Sequence, residues 1–173
     1  DRLRPGAETC VAQLLARGLL VLLLSGDAAP VVQDLAARLG IADWRAGVTP
    51  VEKAQAVSEL GAEGRHVLMV GDGLNDTAAL VQAHVSISPA SALDAARTAS
   101  DIVLMGSDLA PVADALQLAR SARSRIKENF AISLGYNVVA VPFAIAGLAT
   151  PLMAALAMSL SSISVTLNAL RLR

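Results

Sequence analysis

The chain has 173 residues, a formal net charge of −1, a single cysteine and 54% hydrophobic residues, with a mean hydropathy of +0.56. Aromatic residues make up 2%, so the sequence lacks both the stacking platforms and the basic footprint that nucleic-acid binding needs. The hydrophobic content places part of the chain in lipid, and a lone Cys10 excludes an internal disulfide and a CxxC or CxC metal clamp within it.

The opening Asp1-Arg2-Leu3-Arg4-Pro5-Gly6 shows no charged segment leading into an apolar core of the kind a signal peptide has, and it reads as the start of a fragment. Val21-Leu22-Leu23-Leu24 is a short apolar run ending in Ser25-Gly26-Asp27, the pattern of a buried parallel strand. Pro30 to Leu39 has helical character, with Gly40 as its stop. Thr49-Pro50-Val51-Glu52 combines an N-cap, a proline at the first helical position and a capping-box glutamate, which predicts a helix to about Leu60. Val67-Leu68-Met69-Val70 is a second strand, ending in Gly71-Asp72-Gly73. Val85-Ser86-Ile87 and Ile102-Val103-Leu104-Met105 are two more, separated by an alanine-rich helix from about Ser91 to Ala99. Asp108 suits the cap of a last long helix. The alternation predicts a doubly wound parallel α/β sheet.

Charge divides the chain. All acidic residues lie within 1–129, whereas Phe130 to Leu170 contains no charged residue and no histidine. That stretch is roughly twice the ~20 residues that span a bilayer, and Leu148-Ala149-Thr150-Pro151 near its middle suits a tight turn. A transmembrane hairpin of two helices, about 130–148 and 151–170, is expected. Arg120, Arg123, Arg125 and Lys127 precede it and Arg171 and Arg173 follow it, which puts both ends, and residues 1–129, in the cytoplasm.

Ligands of an open α/β sheet bind beyond the carboxyl ends of its strands, and the polar residues gather there. Ser25 offers a hydroxyl and backbone amides, Lys53 a cation, and Asp72, Asn75 and Asp76 a cluster flanked by Gly71 and Gly73, which let the backbone approach closely. Neighbouring carboxylates suit a hard cation such as Mg2+, and a lysine beside the same site offsets charge on a transferring phosphoryl group. Taken singly, an exposed helix lysine or an ordinary strand-to-helix turn would explain Lys53 or Ser25-Gly26-Asp27 as well.

In order and type these residues resemble the later motifs of the haloacid dehalogenase superfamily. Within it, Met69-Val70-Gly71-Asp72-Gly73-Leu74-Asn75-Asp76 resembles the GDGxND hinge motif of P-type ATPases, Ser25-Gly26-Asp27 their TGD motif, and Thr49-Pro50-Val51-Glu52-Lys53 their lysine motif. The resemblance implies a partial haloacid dehalogenase-like sheet followed by the membrane hairpin. It implies residues 1–118 as the C-terminal half of a phosphorylation domain, 119–129 as a basic connecting helix and 130–173 as membrane. Ser25, Gly26, Asp27, Lys53, Asp72, Asn75 and Asp76 become catalytic positions, with Gly71 and Gly73 shaping the site, Asp72 and Asp76 serving Mg2+, and ATP as the phosphoryl donor. The family's phosphorylated aspartate belongs to a DKTG string, which does not occur in this sequence, so the chain by itself is expected to be inactive.

Polar groups inside a membrane helix are costly unless paired or lining a pathway. Tyr136-Asn137 and Met158-Ser159-Leu160-Ser161-Ser162 are such groups, and at ~1.5 Å per residue Asn137 and Ser162 both lie roughly 10–12 Å deep, where they are expected to face each other. A thioether beside amide and hydroxyl oxygens suits Cu(I), and no intramembrane carboxylate is present for a divalent ion. Methionine also fills gaps and serines also pack helices. The YN pair, MSLSS and the closing NALRLR resemble the last helices of Cu(I)-transporting P-type ATPases, which implies Tyr136, Asn137, Met158 and Ser162 as ligands of the transported metal. SGD, TPVEK and His84 through Ser91 depart from the commoner forms toward the bacterial branch that supplies copper during cytochrome oxidase assembly. The implied protein is a multi-pass pump of the bacterial plasma membrane, exporting Cu(I), with lipid, its own N-terminal part, a copper chaperone and oxidase assembly factors as partners. The alternatives are a Zn2+ or Cd2+ pump, a non-catalytic membrane-tethered regulatory fragment, and an anchored phosphatase of the dehalogenase type.

Overall fold

The computed structural model describes residues 3–106 and 108–171. Asp1, Arg2 and Arg173, all weighed in the sequence reading, lie outside the described residues, as do Ser107 and Leu172. The chain divides into two compact units, Asp1–Asp114 and Ala115–Arg173.

In the first unit, helix α1 (Ala7–Ala16) starts after Gly6, which holds a left-handed φ of 73°. It buries Ala7 and Cys10. Strand β1 (Leu22–Leu24) leads into α2 (Ala29–Leu39), which ends on Gly40 in the left-handed region as expected. Strand β2 (Asp43–Arg45) pairs in parallel with β1, Leu23 opposite Trp44. The expected capping box opens α3 (Pro50–Ala62): the Glu52 amide donates to Thr49 Oγ1 and the Thr49 amide donates to Glu52 Oε2. Strand β3 (Leu68–Val70) runs through a short 3-10 turn, Leu74–Asp76, into α4 (Thr77–Gln82). Strand β4 (Val85–Pro89), α5 (Asp94–Thr98) and β5 (Ile102–Leu104) complete the sheet.

The strands form a two-stranded parallel sheet, β1-β2, and a three-stranded parallel sheet, β3-β4-β5. The α/β class and the four expected strands are as anticipated. The sheet is not continuous, because among the described residues no ladder joins β1 to β3. Four structural elements escaped the sequence reading: α1, β2, the 3-10 turn and α4. Asp43-Trp44-Arg45 carries neither apolar alternation nor an apolar run, and it is a strand only because β1 offers it an edge. Helix α1 lies between Gly6 and Val21, where the sequence reading assigns no element.

The core has two parts. Cys10, Ile87, Leu104, Val112 and Ala113 form one, with Leu14, Leu68 and Leu109 packed against it. Leu80, Ala92 and Ala96 form the other, with Met69 and Ala99. Strand β4 also buries two serines. Ser86 is satisfied by Asp101, whose Oδ2 accepts from its amide at 2.8 Å and its hydroxyl at 2.9 Å, while the Ser88 hydroxyl has no partner among the described residues.

Helix α6 (Ala110–Ile145) begins with the expected cap, the Ala110 amide donating to Asp108 Oδ1 at 2.8 Å, and it runs into the second unit. Helix α7 (Pro151–Ala169) starts on Thr150, whose hydroxyl accepts from the Met153 amide. Helix α6 ends at Ile145, three residues before the expected end at 148, and Gly147, at φ 72°, turns the chain between the two helices. Both helices are long and apolar enough to cross a membrane, at 36 and 19 residues. Among the described residues their side chains join at the hairpin base, where Asn168 Nδ2 donates to Asn129 Oδ1 at 2.9 Å and Arg125 donates to Asn168 Oδ1 and to Glu128. Asn168 is the buried residue of α7, and a satisfied amide there joins the two helices where apolar packing alone gives no register.

Candidate functional site

The site grows from two strand ends and one helix. At the end of β1, Ser25 and Asp27 close on each other: the Ser25 hydroxyl donates to Asp27 Oδ2 at 2.8 Å and accepts from the Asp27 amide. Both face solvent. Gly26 lies against the Val48 carbonyl, and the Val48 amide donates to the Ser25 carbonyl at 2.9 Å. This ties the SGD turn to the loop that starts α3, and α3 carries Lys53 one turn on.

Lys53 reaches the third motif. Its Nζ donates to Asp76 Oδ1 at 2.7 Å, with both side chains largely buried at 13% and 14% exposure. A lysine that is only solvated would not be held this way. The second oxygen of Asp76 accepts from the Gly73 amide at 3.4 Å, so this carboxylate organises the loop and the lysine together. Asp76 folds over Gly71, where an added Cβ would sit 2.7 Å from the Asp76 Cβ, and glycine is required there by that close approach. Gly73 gives its amide to the same loop. Asn75 sits exposed on the 3-10 turn, with no side-chain hydrogen bond among the described residues.

Asp72 points the other way. Its side chain is 48% exposed, and its Oδ2 accepts from Arg4, a residue the motif reading passes over. The loop is fixed from behind by the Leu93 amide donating to the Asp72 carbonyl. Arg4, Leu24, Lys53, Gly71, Asp72 and Asp76 line one cavity of about 190 Å3 between the ends of β1 and β3. A larger cavity, about 340 Å3, opens beside Arg45, Glu52 and Glu59 and holds none of the motif carboxylates, so the smaller one is the candidate site.

The donor set fits Mg2+. Among the described residues no cluster of three metal-ligating side chains occurs. A hard ion here would rest on one or two carboxylates and otherwise on water and phosphate oxygens, which is how Mg2+ is usually held.

In the helical unit the four expected metal ligands divide. Tyr136 is half-buried, whereas Asn137, Met158 and Ser162 are on open faces, Met158 with 72% exposure. Asn137 Nδ2 donates to the Ser133 carbonyl of its own helix at 2.9 Å. No hydrogen bond joins Asn137 to Ser162 among the described residues. The half-buried positions of α7 are Ala157, Ser161, Ser164 and Val165; helix phase puts Met158 at the edge of that face, beside Val165, and Ser162 beyond it.

Comparison with known proteins adds the family. A model described as haloacid dehalogenase-like hydrolase matches residues 1–84. The nitrogen fixation protein FixI of Bradyrhizobium diazoefficiens is 50% identical over 99% of this chain and 23% of its own length. A copper-exporting P-type ATPase of Bacillus subtilis is 39% identical over the whole chain and 22% of its own length. A crystal structure of a zinc-transporting PIB-type ATPase in an E2.Pi state superposes with a TM-score of 0.92 at 32% identity, covering 99% of this chain and 28% of that one. Over nearly its whole length the chain is homologous to heavy-metal P-type ATPases. It corresponds to a C-terminal portion of such a pump and spans about a quarter of the length of the curated relatives it matches. It is accordingly part of a multi-pass membrane protein, with the dehalogenase-like segment cytoplasmic and the two long helices in the bilayer.

Proposed function

We propose that the chain is the C-terminal portion of an ATP-driven pump that exports Cu(I) from the cytoplasm through an aspartyl-phosphate. The carrying observation is the cavity between the ends of β1 and β3, which gathers Lys53 from α3 and Asp72 and Asp76 from the loop after β3 yet contains no nucleophile context of the DKTG kind. The gap in the sheet is where an upstream strand would deliver that aspartate. Lys53, held by Asp76, offsets charge on the phosphoryl group. Ser25 and the amides around Gly26 face the phosphate from β1, and Gly71, Gly73 and Asn75 shape the loop. Asp72 supplies the accessible carboxylate for Mg2+, and Asp76 contributes by fixing the loop beside it. When bound, Mg2+ neutralises charge on the phosphate oxygens.

In this reading residues 1–118 complete a phosphorylation domain, 119–129 connect, and helices at about 130–148 and 151–170 carry Tyr136, Asn137, Met158 and Ser162 toward a metal path. Three of those four lie on open faces, which supports completion of the path by helices outside this chain. Likeness to a copper-exporting relative and the thioether favour Cu(I). The zinc-transporting structural relative keeps a Zn2+ or Cd2+ pump as the second reading, against which stands the uncharged span from Phe130 to Leu170. A copper chaperone and oxidase assembly factors are proposed as partners on the motif resemblance. The test is metal-stimulated phosphorylation of the intact pump by ATP. Stimulation by Cu(I) over Zn2+ is expected, with no phosphorylation of the 173-residue chain alone. Stimulation by Zn2+ alone transfers the assignment to the second reading, and phosphorylation of the isolated chain overturns the upstream nucleophile.

A further inference from the structure

Arg4 makes contacts that its position near the start of the chain does not suggest. One arm of its guanidinium donates to Ser91 Oγ at 3.0 Å, and the other donates to Asp72 Oδ2. The two partners come from the β3 loop and the segment before α5, so one side chain ties the loop at the candidate site to the segment beyond β4. Its side chain is 32% exposed and that of Asp72 48%, and ion pairs this open contribute little to stability. Stability alone therefore does not account for the arrangement.

The backbone that delivers Arg4 is nonetheless firmly fixed. The Leu109 amide donates to the Pro5 carbonyl at 3.0 Å and the Ala7 amide to the Arg4 carbonyl at 3.2 Å. Gly6 passes so close to the cap of α6 that an added Cβ would lie 1.9 Å from Asp108 Oδ1. A long side chain on an anchored backbone, with both arms engaged, is a positioning device.

Among the described residues Asp72 Oδ1 has no hydrogen-bond partner, while Oδ2 is taken by Arg4. A carboxylate that ligates a metal is commonly oriented by such an outer partner, and loss of the partner weakens metal binding about 10–100-fold. We infer that Arg4 is a positioning residue for the divalent cation of the phosphoryl site. It holds Oδ2 of Asp72, with Ser91 fixing its other arm, so that Oδ1 is presented to Mg2+. This rests on the reading of Asp72 as the Mg2+ carboxylate. Lysine cannot replace arginine here, because a single ammonium does not reproduce the planar fork that reaches two partners.

The test uses the intact pump and Mn2+ as a spectroscopic probe, with bound Mn2+ counted by electron paramagnetic resonance and displaced by Mg2+. Arg4→Gln and Arg4→Lys are both expected to weaken Mn2+ and Mg2+ binding about 10–100-fold, and Ser91→Ala by a smaller factor, without loss of copper binding in the membrane. Unchanged affinity in Arg4→Gln, or full affinity in Arg4→Lys, overturns the positioning role. Tighter binding in Arg4→Gln overturns it too, by making Arg4 a competitor of the ion. Asp72→Asn separates the two readings: if it binds Mn2+ like the unaltered pump, the Mg2+ assignment itself falls. If it loses the ion while the Arg4 variants keep it, only the inference about Arg4 fails. Ser91→Ala carries the test should the Arg4 variants not fold.

Discussion

The two units handle their polar groups in opposite ways. In the α/β unit, charged side chains reach partners far along the chain: Lys53 holds Asp76, Arg4 holds Asp72, and Asp101 clips Ser86. These contacts converge on strand ends, leaving one carboxylate accessible beside a cavity. In the helical unit the interhelical polar contacts gather at the base, around Asn129 and Asn168, and the candidate metal ligands point largely outward. The first unit assembles most of a site from its own residues. The second presents components and depends on neighbours to assemble them, because two helices offer each other only one face apiece.

The comparison breaks most sharply at Asp72. Asp72→Ala in the intact pump is expected to abolish Mg2+-dependent turnover while membrane insertion stays normal, and full turnover would remove the α/β unit's claim to the metal. In the other unit, Met158→Leu is expected to raise the Cu(I) concentration for half-maximal activation about tenfold, equivalent to about 1.4 kcal/mol of binding. Phosphorylation by inorganic phosphate should stay unchanged. An unaltered copper dependence would return Met158 to a packing role.

Smaller effects test what holds each unit together. Asn168→Leu strips Asn129 and Arg125 of their shared partner, and a loss of about 1–2 kcal/mol in the thermal unfolding of the solubilised pump is expected. A neutral result would mean that apolar contacts set the hairpin's register. Thr49→Ala removes the cap of α3, at about 1 kcal/mol, read as a lower midpoint in denaturant. The Thr49 amide, and then its hydroxyl, hold the Glu52 carboxyl below the usual carboxylate range. A lowered folded pKa gives stability that is complete above the unfolded value, about 4.3, and lost as pH falls through the folded one. Thr49→Ala should therefore flatten the acid limb of the stability profile. An acid limb identical to that of the unaltered pump would deny the hydroxyl any part in it.

Much of the α/β unit was legible because its signals are local. Val67 to Val70 is an apolar run closed by glycines and aspartates, and Thr49 to Glu52 spells a capping box within four residues. Strand β2 was not, because Asp43 and Arg45 are exposed and only pairing with β1 makes the segment a strand. Arg4 was not either. Its partner Asp72 is 68 positions away, and nothing in the string around Arg4 encodes that distance.

By itself the sequence determined which chemical groups stand at strand ends, where charge stops, and which stretch is apolar enough for a bilayer. These follow from neighbours along the chain: hydropathy, turn chemistry and capping act over a few residues. Tertiary structure alone decided the pairing of two cations with two aspartates and left the sheet open between β1 and β3. It also decided that Tyr136 is covered while Asn137, Met158 and Ser162 are open. Such outcomes depend on helix phase and on contacts between segments distant in sequence, and those are fixed only when the chain closes on itself in three dimensions.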